Sequence, residues 1–149
     1  MRLRLERQTR FPRDAVYAWW TDFAGDDHLR PGSPAKSVRE IVRRDGNELW
    51  IRDRASRPLP MSIEEHVTLH PPNGYDVRAR YPGADVAYGY RFEPGGRGTA
   101  VTLEVDVQPR GLGHVLVPLT TWWWRRYAAR DLDFHLEEMN RDLAGFASD

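Results

Sequence analysis

Cysteine is absent from all 149 residues. Disulfides, thiolate nucleophiles and cysteine metal clusters are thereby excluded, and a reducing, cytoplasmic setting is expected. Lysine is nearly absent: of 22 basic side chains only Lys36 is one. Arginine favours planar, bidentate partners, although uniform arginine usage also arises from coding bias. Net charge is zero, so no overall basic field points to nucleic acid or an anionic membrane. No segment approaches the roughly 20 apolar residues of a membrane span. The opening Met1-Arg2-Leu3-Arg4-Leu5-Glu6-Arg7 alternates charge with apolar residues and lacks the apolar run of a secretory signal. Internal repeats and low-complexity segments are also missing. What remains has the length of one ordinary domain, 1–149, enough to bury about 70% of its unfolded surface.

Hydropathy patterning organises the chain. Arg2 to Phe11 reads as a strand, with Leu3 and Leu5 on one face. Pro12 suits a helix's first turn, Asp14 favours its positive end, and Val16, Trp19, Trp20 and Phe23 give that helix, about Pro12 to Phe23, a broad apolar side. Ala24 to Pro34 is a loop by its Gly, Pro and charge content. Strands follow over Val38 to Arg44 and Glu48 to Arg54, joined by Asp45-Gly46-Asn47. Further strands span Met61 to Leu69, Tyr75 to Tyr81, Val86 to Glu93 and Thr99 to Gln108, separated by short Pro- and Gly-rich links. Links this short predict an antiparallel meander.

Strand parity separates two faces. Met61, Ile63, Val67 and Leu69 share one; Tyr75, Val77, Ala79 and Tyr81, then Val86, Tyr88, Tyr90 and Phe92, then Val101, Leu103, Val105 and Val107 continue it. The opposite parity is polar, so one face is covered and one is wet. The last helix is expected to begin near Pro118, with Leu112 to Val117 as a separate turn. Trp124, Ala128, Leu132, Leu136, Met139, Leu143 and Phe146 form a stripe at helical spacing. A second stripe, Trp123, Tyr127 and Phe134, lies about 100° away. On its stripe Trp124 is expected to behave as a core aromatic, whose truncation costs about 3 to 5 kcal/mol.

Strand, short helix, meander and long closing helix is the order of the helix-grip fold. The chain resembles the START-domain and polyketide-cyclase (SRPBCC) superfamily along its whole length. Phe11-Pro12, Val16-Tyr17 and Asp22 look like that family's opening, and Leu132 to Leu143 like its closing amphipathic turns. The resemblance implies an α+β fold: a curved antiparallel sheet of about seven strands wrapped around a long C-terminal helix. It also implies a cavity between sheet and helix that takes hydrophobic molecules. It carries over no residue pattern for an aromatase or cyclase.

Glu65 is the sharpest anomaly, a carboxylate on the apolar parity between Ile63 and Val67. Such a group must be paired, hydrated or neutral. It is either a ligand hydrogen-bonder or acid/base with a raised pKa, or an internal ion pair with an arginine such as Arg52, or it is turned outward by a local bulge. Trp50 and Arg52 share a face and would stack on and anchor a ligand if it points inward, but Leu49 and Ile51 compete for that side. Tyr75, Tyr81, Tyr88 and Tyr90 bring phenols to the covered side; those near strand ends can reach solvent with their tips, and Tyr88 and Tyr90 are favoured for cavity lining. Trp122, Trp123 and Trp124 cannot all enter one core, since successive helical residues rotate by about 100°. The exposed member is expected to be Trp122. His66 and His70 share an outer face roughly 13 Å apart, too far to chelate one ion. His114, after Gly111-Leu112-Gly113, either rims an opening or is simply solvent-exposed, the latter being favoured, and His135 is read as a hydrogen-bonded core residue. No metal or cofactor is implied, and no nucleophile elbow or phosphate-binding loop is present.

The leading expectation is therefore a protein that binds a hydrophobic, aromatic or polycyclic molecule, with Trp50, Arg52, Glu65, Tyr81, Tyr88, Tyr90, Trp123, Trp124 and Tyr127 as site residues. One alternative is a polyketide cyclase or dehydratase using the same cavity, with Glu65 or a tyrosine moving protons. Another is a protein-interaction module using exposed tryptophans. A homodimer is compatible with the sequence. The loops Ala24 to Pro34, Pro82 to Asp85 and Pro109 to Gly113 are expected to rim the opening.

Overall fold

The fold is taken from a computed structural model, which describes residues 1–23, 29–34, 36–57 and 60–146. The strands are β1 (Arg2–Thr9), β2 (Lys36–Asp45), β3 (Glu48–Arg57), β4 (Met61–His70), β5 (Gly74–Tyr81), β6 (Ala84–Gly95) and β7 (Gly98–Pro109). The helices are α1 (Arg13–Trp20), α2 (Gly113–Leu119) and α3 (Thr121–Phe146). The strands form one antiparallel sheet in the order β1-β7-β6-β5-β4-β3-β2. Every neighbouring pair except β1–β7 is consecutive in sequence, as the short links require.

Parity places the core as expected. Leu69, Val67, Val77, Phe92, Val101 and Leu103 point inward and are buried against Val16 and Trp20 of α1 and Leu132, Leu136 and Met139 of α3. The register of β3 is decided by Leu49 and Ile51, both buried. Trp50 and Arg52 therefore face outward. Trp50 stacks on His66 at 4.9 Å with the Arg43 guanidinium over its ring, and Arg52 reaches Glu64. Two large aliphatic side chains gain more from burial than one partly polar indole and an arginine.

Helix α1 is shorter than its apolar pattern. Its end is capped at Thr21, whose N–H and hydroxyl both donate to the Tyr17 carbonyl. Phe23 follows at φ 49°, which turns its ring onto Tyr75 at 5.4 Å. The closing helix is broken in two rather than starting at Pro118. Pro118 lacks an N–H for the turn before it, and Thr120 and Thr121 direct their hydroxyls at the Leu116 and Val117 carbonyls. α3 then restarts, with the Trp124 N–H on the Thr120 carbonyl.

The C-terminal half of α3 is held by polar links as well as by its stripe. Arg30 pairs with Glu138 and Asp142, and the Trp19 indole donates to Asp142 at 2.9 Å. At the other end, a Cβ on Gly113 would collide with the Gly83 carbonyl oxygen, so glycine lets α2 sit directly on the β5–β6 turn.

Candidate functional site

The apolar interior is divided. The main cluster lies under α1 and the second half of α3. A smaller one, Ala84, Val86, Val107 and Val117, lies under α2. Tyr88 and Val105 border both. Between them stands the first half of α3. From Thr121 to Asp131 no side chain is fully buried, whereas Leu132, Leu136, Glu138 and Met139 all are. Opposite, the inward-facing Tyr81, Tyr88 and Val105 also keep part of their surface open. Helix and sheet are thus less completely packed where the two clusters separate.

Aromatic rings line this part. Tyr81 meets Trp124 edge-on at 6.5 Å, Trp124 meets Trp123 at 5.2 Å, and Trp123 stacks on Tyr127 at 5.3 Å. Trp123 and Tyr127 also line a cleft of about 440 Å³ between α3 and Ser33-Pro34, with Trp122, Arg126 and Arg130 along its rim. Trp122 is exposed, as the rotation argument requires. Tyr90 is corrected: it packs in the main core between Trp20 and Tyr75, at 5.2 and 5.3 Å. His135 donates from Nδ1 to the Asp131 carbonyl at 2.8 Å, and His114 is exposed.

Three charged groups occupy the inner face of β2, β3 and β4. Arg39 and Asp53 are register partners, bonded from Nε to Oδ1 at 3.1 Å and from Nη2 to Oδ2 at 3.0 Å. Their side chains are only 12% and 8% exposed. Glu65 lies on the next strand, where the Tyr88 hydroxyl donates to its Oε1 at 3.3 Å. On the intervening strand Ala79 is paired with Glu65 and Val77 with Tyr88, so the hydrogen bond spans β5. Arg52, facing away, is not the partner of Glu65.

Burial dominates the electrostatics. Desolvation pushes the Glu65 carboxyl from its ordinary 4.5 up to about 7, reinforced by Asp53 and opposed by Arg39 and by the Tyr88 hydrogen bond. Desolvation works against the Arg39 charge, but the Asp53 carboxylate outweighs it and holds the guanidinium protonated. Burial also raises the Tyr81, Tyr88 and Tyr127 phenols well above their ordinary value, so each remains a neutral donor. The site therefore offers aromatic faces, neutral phenols, one fixed cation and one carboxyl that titrates near neutral pH. Among the described residues no group of three His, Asp or Glu side chains is arranged to hold a metal.

Two of the expected rims are fastened together. The Arg110 N–H donates to the Gly83 carbonyl at 2.7 Å, and the Arg110 guanidinium reaches the Tyr81 carbonyl and Asp85. Pro82 to Asp85 and Pro109 to Gly113 thus close their end. The cleft opens instead at Ser33-Pro34, within the third expected rim, of which residues 24–28 lie outside the described residues.

No family model matches the sequence, and no curated protein does. Solved structures do. TTHA0849 from Thermus thermophilus superposes with a TM-score of 0.77 at 19% identity, over 95% of this chain and 99% of that one. The Zhui aromatase/cyclase from Streptomyces sp. R1128 gives 0.77 at 16%, over 96% and 95%. Ara h 8.0201 gives 0.66 at 14%, over 95% and 98%. The chain has the helix-grip fold. The architecture expected from the element order is thereby met, and no helix among the described residues is long and apolar enough to cross a membrane.

Arg39 and Asp53 were not among the sequence candidates. Asp53 continues the buried parity of Leu49 and Ile51, the same anomaly that singles out Glu65, and was legible. Arg39 was not, because its strand shows valines at 38 and 42 to solvent and turns Ser37 and Arg39 inward.

Proposed function

We propose that the protein binds a hydrophobic, aromatic or polycyclic small molecule between the sheet and the first half of α3. The observation that supports this is the split core: the aromatic half of α3 and the facing Tyr81 and Tyr88 are only partly buried and belong to no fully buried cluster. Tyr81, Trp123, Trp124 and Tyr127 supply the apolar walls. Glu65, Tyr88 and Arg39 orient a carbonyl or hydroxyl group of the ligand, since buried polar groups of this kind fix direction in an otherwise apolar pocket. Trp50, Arg52 and Tyr90 have no part in it. The test is the native mass of freshly purified protein against its denatured mass, followed by titration with the polycyclic probe anilinonaphthalene sulfonate. A releasable small molecule, or probe binding that quenches tryptophan and is lost in Tyr81→Ala, supports the reading. A bare mass together with no probe binding overturns it.

A second reading, an enzyme of the cyclase or dehydratase kind, is favoured by one feature. A carboxyl that titrates near 7 and is hydrogen-bonded to a phenol is matched to proton transfer at neutral pH. In this reading the walls hold a poly-carbonyl chain in a folded shape, and Glu65 takes a proton from a carbon next to a carbonyl. The fold similarity to the Zhui aromatase/cyclase is compatible with it. Glu65→Gln separates the readings: an enzyme loses turnover while still binding, whereas a carrier loses ligand orientation and retention.

A further inference from the structure

Helix α2 is turned inside out. Leu112, Val115, Leu116 and Leu119 recur at the spacing of one apolar helix face, yet they are 83%, 63%, 57% and 69% exposed. Only Gly113 and Val117 of this helix are buried, in the smaller core cluster. Trp122, 68% exposed, follows three positions after Leu119, across the break into α3. Five of the nine large exposed hydrophobic residues described thus fall in eleven consecutive positions.

Charge is distributed to match. The chain is neutral overall, but from Arg110 to Arg130 it has four arginines and no acid. Arg125, Arg126 and Arg130 are exposed and make no ion pair among the described residues. Asp85, the acid beside this corner, is taken up by Arg110 and Arg80. Arg126 and Arg130 follow Trp122 along the same helix face at the rim of the cleft.

We infer that the α2–α3 corner docks on an anionic lipid surface, with Leu112, Val115, Leu116, Leu119 and Trp122 entering the interface and Arg125, Arg126 and Arg130 meeting lipid phosphates. The combination of an aliphatic stripe, an interfacial tryptophan and flanking cations is what shallow, reversible membrane attachment requires. A protein partner with a purely acidic surface would use the arginines and leave the aliphatic stripe in water. A second copy of this chain would bring the arginines face to face, like charge against like charge. The docking does not depend on the ligand reading; it adds that the cleft would open beside the membrane.

The test is co-sedimentation of the full chain with vesicles of phosphatidylcholine alone or mixed with phosphatidylglycerol. The expected result is binding to the mixed vesicles with a blue shift of tryptophan emission. Leu116→Asp combined with Leu119→Asp, both exposed and hence tolerated by the fold, should weaken partitioning at least about tenfold with an unchanged thermal melt. Arg126→Gln should weaken it about fivefold, and only on the anionic vesicles. Should the aspartate pair disturb the melt, Trp122→Ala is the substitute and should abolish the blue shift. The inference fails if the mixed vesicles sediment no protein, or if the aspartate pair binds as the parent does. It also fails if light scattering shows a dimer that the aspartate pair dissociates, which would assign the stripe to a second copy.

Discussion

Arg39 and Asp53 face each other in register across β2 and β3 and close a two-point ion pair on the inner side of the sheet. Their strands end the sheet, farthest from β1, which packs against α3. A charged pair at this place is costly to desolvate, and its two-point geometry offsets that cost. It gives the interior a fixed cation beside Glu65 without leaving that cation unbalanced.

Removing one partner should therefore be far worse than removing both. Asp53→Ala removes the two-point carboxylate partner of a guanidinium that is only 12% exposed and should destabilise by about 3 kcal/mol. Arg39→Met with Asp53→Leu should recover most of that loss. Urea denaturation of the three proteins measures both quantities. A cost below about 1 kcal/mol for Asp53→Ala would mean that water reaches the pair and shares its charge.

Glu65 should make the protein less stable as pH rises towards neutrality. Its carboxyl titrates at about 7 when folded against 4.5 ordinarily, so the native state holds the proton that the unfolded state has released. The penalty is absent below 4.5, grows between 4.5 and 7, and is complete above. Its full size is about 3 kcal/mol. Glu65→Gln removes it, so the variant should lose less stability than the parent between about pH 5 and about pH 7.5. Denaturation midpoints at the two pH values decide this; parallel losses would show that Glu65 is ionised and satisfied throughout.

Sheet and helices were legible because their signals are periodic. Alternation along β4 to β7 assigns the inner face correctly, and the α3 stripe identifies Leu132, Leu136 and Met139. Where the pattern fails, physical competition explains it. Trp50 and Arg52 were ambiguous because Leu49 and Ile51 are apolar on the opposite parity, and the aliphatic pair prevailed. β2 is an edge strand with a bulge between Ile41 and Arg43. It lies over polar groups, so its valines have no core to enter and its arginine has a carboxylate to meet. The break at Thr120 was hidden by apolar residues on both sides of Pro118. The less buried half of α3 could not be read at all, since Trp124 occupies the same stripe as Leu132 and the two differ only in how deeply they are buried.

Trp20 and Trp124 should accordingly respond differently to truncation. Trp20 is buried among Tyr90, Phe92 and His135, and Trp20→Ala should cost about 3 to 5 kcal/mol. Trp124 keeps part of its surface open and meets Tyr81 and Trp123 by ring edges. The stripe alone predicts an equal cost for Trp124→Ala; its position predicts about 1 to 2 kcal/mol, the worth of its ring contacts and partial burial. Thermal and urea unfolding of both variants compares them directly. Equal costs would return Trp124 to the core and fill the space proposed for a ligand.

Trp50→Ala supplies the control for the whole site. The indole lies between the Arg43 guanidinium and the His66 ring on the wet face, with the sheet backbone separating it from Glu65 and Tyr88. Its loss removes one stacking and one cation–π contact, about 1 to 2 kcal/mol at a partly buried position. Anilinonaphthalene sulfonate should bind the variant as it binds the parent, while Tyr81→Ala lowers its affinity. Fluorescence titration of the three proteins side by side is the measurement. An equal loss of probe affinity in Trp50→Ala and Tyr81→Ala would place binding on the convex face, where tryptophan, histidine and arginine already form a stacked surface, and would remove the interior from consideration.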